Sequence, residues 1–152
     1  MDIQMINRND PESLRITVRN VDGGGSITLG LGACLVASAA SFTINDALPA
    51  VRSTAALQYG FLGVAGQTIP INGYGKVVYM GHAAAVQISH VGSSITVTAA
   101  DILIPGAVAG TFFSTVTAQG MSTLLYRYVI ATSTAVAVST GSQAVCTGFV
   151  KA

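Results

Sequence analysis

Residues 62–82 read LGVAGQTIPINGYGKVVYMGH, and this stretch constrains the fold more than any other. Residues 64–71 form a short apolar strand that runs into a break at Pro70, because proline cannot donate to a ladder. Asn72-Gly73-Tyr74-Gly75 follows as a turn, since Asn and Gly tolerate the positive φ angles that tight turns demand. Residues 76–80, KVVYM, then resume as strand. A strand, a glycine turn and a strand belong in a sheet, and the unit carries no constellation that does chemistry.

The flanking sequence repeats this theme. Leu14, Ile16 and Val18 alternate with Arg15, Thr17 and Arg19, which predicts a half-buried strand over residues 14–21 with a wet, basic face. Asp22-Gly23-Gly24-Gly25-Ser26 reads as a connector. A phosphate-cradling loop would need a Lys-Ser/Thr pair and a helix opening straight after it, and Ile27-Thr28-Leu29 continues as strand instead. Residues 31–38 and 41–44 are further apolar segments. The one helix expected spans residues 47–58, with Asn45-Asp46 as cap, Pro49 in the first turn, and Leu48, Val51, Ala55 and Tyr59 at helical spacing.

Beyond the opening unit, residues 83–89 continue the sheet, and Gly92-Ser93 predicts a hairpin to residues 94–99. Residues 101–106 end in a turn, and strands follow over 111–117 and 123–132. In the latter, Leu124, Tyr126, Tyr128 and Ile130 share one face and Arg127 takes the other. Residues 135–139, a turn at Thr140-Gly141-Ser142, and residues 143–150 complete the pattern. Many short strands without paired helices predict an all-β, single-domain sandwich or barrel, jelly-roll-like, with at most one short helix. Residues 1–13 are an extended polar arm and residues 14–152 the β domain. With Asp2, Arg8, Asp10 and Glu12, the arm cannot bury itself cheaply. It either frays or becomes ordered on a neighbouring subunit.

A length of 152 residues suits one core, burying roughly 70% of the surface exposed when unfolded. Only 9% of residues are charged and the formal net charge is +1, whereas about 25% charged is usual. So weakly defended a surface predicts life in an oligomer or a lattice. Mean hydropathy is +0.61, yet the one window near spanning length, residues 27–44, is interrupted by Gly30, Gly32, Ser38, Ser41 and Thr43. No membrane span is expected. Residues 1–10 lack the apolar core of a secretory signal. The scattered basic residues form no stripe with interleaved aromatics, so no nucleic acid partner is expected.

Candidate chemistry is thin. His82 and His90 lie eight positions apart, too far along one unbroken strand to meet at a metal. Asp46 and Asp101 are single carboxylates, and Asp101 is expected to organise a turn. There is no nucleophile elbow. Cys34 and Cys146 read as buried small apolar residues, with a long-range disulfide or a metal pair as the alternatives. No catalytic residue, metal or cofactor is assigned.

The middle and end of the chain resemble the capsid decoration, or cement, proteins of phages. The residues that carry the resemblance are Leu62-Gly63-Val64-Ala65, Ile71-Asn72-Gly73-Tyr74-Gly75-Lys76-Val77 and Tyr79-Met80-Gly81, then residues 95–103, 128–133 and 147–151. Ala100 stands where the family tends to have glycine before an Asp and an apolar pair. The similarity covers residues 60–152 and rests on turn chemistry. It implies a β-rich body on the outer surface of an icosahedral shell, at the virion's capsid surface. The implied partners are the major capsid protein and its own copies, a homotrimer in preference to a dimer. It implies no cofactor.

Arginine and tyrosine dominate interface energetics, which makes Arg8, Arg15, Arg19, Arg52, Tyr74, Tyr126, Arg127 and Tyr128 the contact candidates. The competing readings are another phage structural role, as a tail, fibre or shell-forming subunit, and, more distantly, a carbohydrate-binding β module. The absence of Trp and an aromatic content of 7% weigh against the last.

Overall fold

A computed structural model describes residues 13–36, 47–89, 95–106, 108–114, 128–133, 136–138 and 143–151. The described residues form eleven strands: β1 (Ser13–Asn20), β2 (Gly32–Leu35), β3 (Leu48–Arg52), β4 (Phe61–Ala65), β5 (Tyr74–Ser89), β6 (Ile95–Val97), β7 (Ile102–Pro105), β8 (Phe112–Ser114), β9 (Tyr128–Ala131), β10 (Val136–Val138) and β11 (Gln143–Lys151). The protein is all-β. Strands β1, β3, β2, β4 and β5 follow one another round a sheet that closes when β1 pairs with β5, giving a five-stranded barrel. From the same β5 the sheet continues through β11, β9, β7 and β8, and β8 touches β5 again at Ile88↔Phe112.

Strand β5 is the shared wall. Two sequence segments, residues 76–80 and 83–89, join in one strand of 16 residues that starts at Tyr74. Gly81 sits at its midpoint with φ of 100°, a conformation open to glycine and costly to a residue with a Cβ. It faces Ser13 of β1 and Val150 of β11, so these two strands lie on opposite flanks of β5.

Two cores result. Val18, Ile27, Leu31, Ala33, Ala50, Leu62, Ala65, Ile69 and Val77 fill the barrel. A second cluster, with Phe61, Val64, Val78, Val86, Ile88, Leu103, Phe112, Val129 and Val150 among its members, fills the space under the added strands. Neighbouring residues on one strand therefore feed different cores: Ala33 and Cys34, Leu62 and Phe61, Val77 and Val78. This is why β4 reads FLGVA with every residue buried, where a strand wet on one face would alternate. Gly63 lets β4 press against β5, since a Cβ there would collide with the Val78 carbonyl oxygen. Phe61 and Phe112 meet edge to face at 5.5 Å in the second core.

Several expectations are corrected. The helix over residues 47–58 is absent: β3 occupies Leu48–Arg52 and a 3-10 helix occupies Ala55–Gly60. Ala50 is completely buried, Val51 packs on the second core, and β3 pairs with both β1 and β2; tertiary pairing outweighs the helical spacing. Leu14 does not share the inward face of Val18. The pairing with β5 shifts between Leu14 and Arg15, and Leu14 is 55% exposed. The strand over residues 64–71 is instead β4, ending at Ala65, followed by a lone bridge between Ile27 and Ile69. That bridge is all the structure shows of the strand expected at residues 27–29. The partner of β6 is β10, not residues 83–89, whose own partner is β11. The arm at residues 1–12, the segment 37–46 and the turns at 90–94 and 139–142 lie outside the described residues.

Candidate functional site

The barrel turns are built by buried polar groups. Asn20 is completely buried. Its side-chain amide donates to the Gly25 and Ile69 carbonyls, each at 3.1 Å, while its carbonyl oxygen accepts the Asp22 N–H at 2.9 Å. Asp22 accepts the Gly24 N–H at 2.7 Å and the Arg52 Nε–H at 2.7 Å. The Arg52 guanidinium holds the Asp22 carboxyl below the usual carboxylate range against the opposing effect of burial, and Arg52 is pushed up in turn. The glycine connector of residues 22–26 is thus pinned to β3. Asn72 holds φ of 58° in a turn closed by the Gly73 N–H donating to the Pro70 carbonyl at 2.9 Å; this turn lies two residues before the expected Asn72-Gly73-Tyr74-Gly75, because Tyr74 and Gly75 already belong to β5.

The contact candidates fall into separate places. Arg52 is committed to Asp22. Arg19 and Tyr74 stand opposite each other where β1 meets β5, and Tyr74 is 55% exposed. Tyr128 stands opposite Lys151 between β9 and β11, with the Lys151 ammonium 5.7 Å from the ring centroid, within cation–π range. Arg15 is exposed at the head of β1, its Nε–H donating to Ser13 Oγ at 3.3 Å. Arg8, Tyr126 and Arg127 lie outside the described residues, as do His90 and Asp46.

His82 lines a cleft of about 330 Å³ together with Ser13, Arg15, Leu29, Ala65, Val78 and the run of Ala83, Ala84 and Ala85. No carboxylate lines it. Among the described residues, no group of three or more His, Cys, Asp and Glu side chains could hold a metal. Asp101 organises its turn, accepting the Thr98 N–H at 3.0 Å and the Thr98 hydroxyl at 3.1 Å. Ala100, just before it, has φ of 75°. Cys34 and Cys146 are free and buried. Burial pushes the Cys34 thiol up to about 12 and raises that of Cys146, so both serve as core residues. No described helix is long and apolar enough to cross a membrane.

The feature that residue types alone do not disclose is a row across the sheet. Register places Ile102 opposite Ile130, Ile130 opposite Phe149, and Phe149 opposite His82. Paired residues share a face, and this face points away from the second core, whose own row holds Leu103, Val129 and Val150. Phe149 is 41% exposed, Val145 on the same strand 58%, and Met80, two residues before His82 and opposite Leu14, 42%. The outer surface of β7, β9, β11 and β5 therefore carries an apolar row, bordered by His82, by the exposed Thr132–Thr147 hydroxyl pair and by Lys151. Such a surface loses water favourably against a complementary one. No protein-family model and no curated protein matches the chain.

Proposed function

We propose that this chain is a structural virion protein: a phage capsid decoration, or cement, protein that binds the outer surface of the shell and stabilises it by bridging capsomers. The observation that supports the reading best is the outward row of Ile102, Ile130 and Phe149, with Met80 and Leu14 beside it, on a closed β body with few charges. Apolar area of this kind is retained where it is covered in the working assembly. Closing the barrel removes sheet edges from solvent, which suits a rigid block that associates through faces. The partners are the major capsid protein and its own copies, in a homotrimer. Engaging several neighbours at once turns weak contacts into an avid one, favouring the closed shell over its separated parts. The protein acts by binding, without catalysis or a cofactor.

Co-sedimentation with empty shells tests this. The purified chain should form a self-limited oligomer that pellets with shells. Phe149→Ala should lower the attached fraction about tenfold, as expected for loss of a central apolar anchor worth about 1.4 kcal/mol. Assembly into long rods that ignore shells would favour a tail component instead, and a monomer with no affinity for shells would refute the proposal.

A further inference from the structure

The cleft beside His82 collects hydrogen-bond donors on an apolar frame. Its walls come from Leu29, Val78 and Ala83, and its polar side chains are those of Ser13, Arg15 and His82. Ser13 and Arg15 stand at the head of β1, and His82 follows Gly81, the residue of β5 that Ser13 faces. The turn through Leu29 and Gly30 is tied to the same strand: the Gln87 N–H donates to the Gly30 carbonyl at 2.9 Å, and the Gln87 side-chain amide donates to the Leu29 carbonyl at 2.7 Å. Three separately anchored pieces of the fold therefore border the cleft.

Its donors are under-used. Among the described residues the Arg15 guanidinium makes one bond, from Nε–H to Ser13 Oγ at 3.3 Å, and its two Nη groups have no acceptor. The half-buried His82 imidazole has no hydrogen-bond partner among the described residues. Asp22 is held by Arg52 and Asp101 by its own turn, and neither lines the cleft. A donor partly withdrawn from water and left unpaired is stabilised by an incoming acceptor. Guanidinium N–H groups match the two oxygens of a carboxylate, and charge assistance makes such bonds the stronger kind. The apolar walls favour an acid with a hydrocarbon stem over a strongly hydrated inorganic anion, whose desolvation costs more. A volume of about 330 Å³ is near the lower end of small-molecule sites, roughly 300–1,000 Å³.

We propose that this cleft binds a carboxylate carried on a short aliphatic stem. The Arg15 guanidinium and the His82 N–H hold the carboxylate, and Leu29, Val78 and Ala83 cover the stem. Ser13 is a positioning residue, because its hydroxyl accepts the Arg15 Nε–H and keeps the guanidinium at the cleft. Two sources present this chemistry: a free short-chain carboxylic acid, and a glutamate side chain on a partner protein. The inference stands on the cleft's own residues and does not depend on the virion reading.

Titration of the full chain, followed by the NMR shifts of its backbone amides, tests this with butyrate, butyramide, inorganic phosphate and a glutamate blocked at both backbone ends. Butyrate and the blocked glutamate should shift the amides of Ala83, Ala84 and Ala85 with dissociation constants of about 1–10 mM, the range open to ligands of so few heavy atoms. Butyramide, the same shape without the charge, should bind about tenfold more weakly. Arg15→Gln should weaken butyrate about tenfold and His82→Phe about threefold, the scale of losing a charge-assisted and an ordinary hydrogen bond. Lys76→Gln, which removes an exposed cation of β5 outside the cleft, should leave the affinity unchanged. Urea midpoints of the three variants should move little, which separates a lost contact from a lost fold. Tighter binding of the blocked glutamate than of butyrate would assign the carboxylate to a partner protein, and the reverse to a free acid; either result supports the site. Butyramide or phosphate binding as tightly as butyrate, or an unchanged butyrate affinity in Arg15→Gln, would overturn the inference. Shell binding is not read in this assay, so its outcome is separate from that of co-sedimentation.

Discussion

Asn20→Ala offers the sharpest test of how the barrel end is held. The substitution removes three side-chain hydrogen bonds that join the connector after β1, the Ile69 bridge and β1 itself. The Ile69 carbonyl keeps a second donor, the Ile27 N–H at 2.9 Å, so it is not orphaned. The bond to it is nevertheless buried and contributes about 1.5 kcal/mol. The bonds to Gly25 and from Asp22 are part-buried, and water can replace them, so each contributes about 0.5–1 kcal/mol. The sum is about 3 kcal/mol, which for a domain of this length lowers the midpoint by roughly 6–12 °C. Urea denaturation followed by circular dichroism, together with a thermal scan, measures it. Asn20→Asp should be worse than Asn20→Ala. It keeps an acceptor for the Asp22 N–H but aims a carboxylate oxygen at two carbonyls. A loss below about 1 kcal/mol for Asn20→Ala, or an Asp variant more stable than the Ala variant, would refute the reasoning.

Ala100→Gly should stabilise the fold by about 0.5–1 kcal/mol, because Ala100 holds a φ of 75° that costs an L-residue with a Cβ roughly that much or more; a lower urea midpoint would contradict this. Asp22 has a folded pKa below its ordinary value of 3.8, so its pairing with Arg52 stabilises fully above that value and is lost as pH falls through the folded pKa. Stability of the wild type should accordingly fall between about pH 5 and pH 2 more steeply than that of Asp22→Asn, in parallel urea titrations. With its thiol pushed up to about 12, Cys34 should resist an aromatic disulfide reagent at pH 8 until the protein unfolds; labelling at the rate of a free thiol in the native state would mean that β2 opens.

Much of the strand inventory was legible because it follows from local chemistry. The turn around Asn72, the Gly-rich connector after β1 and the Asp101 turn all depend on what neighbouring residues can do to their own backbone; the last two are where they were expected, and the first closes two residues early, between Pro70 and Gly73. The row of Ile102, Ile130, Phe149 and His82 was not legible, since its members come from four strands spread over residues 82–149. Leu14 was misplaced because a single shift in pairing reverses the facing of every residue before it. The expected helix failed for a related reason. Leu48, Val51 and Ala55 have helical spacing, but Ala50 and Val51 are neighbours that serve opposite cores, and a strand alone points neighbours in opposite directions. The basic candidates were separated by partners that sequence could not supply: Arg52 by Asp22, thirty residues away.

By itself the amino-acid sequence determined the all-β class, the connector after β1, the Asp101 turn and the sparse charge, because each depends on residue type and short-range backbone preference. Only the tertiary structure decided that β5 would wall two cores at once, which strands would flank it, and hence which side chains would be left outside. Those outcomes depend on long-range register. Pairing converts a one-dimensional alternation into faces, and no local rule says which face will meet water.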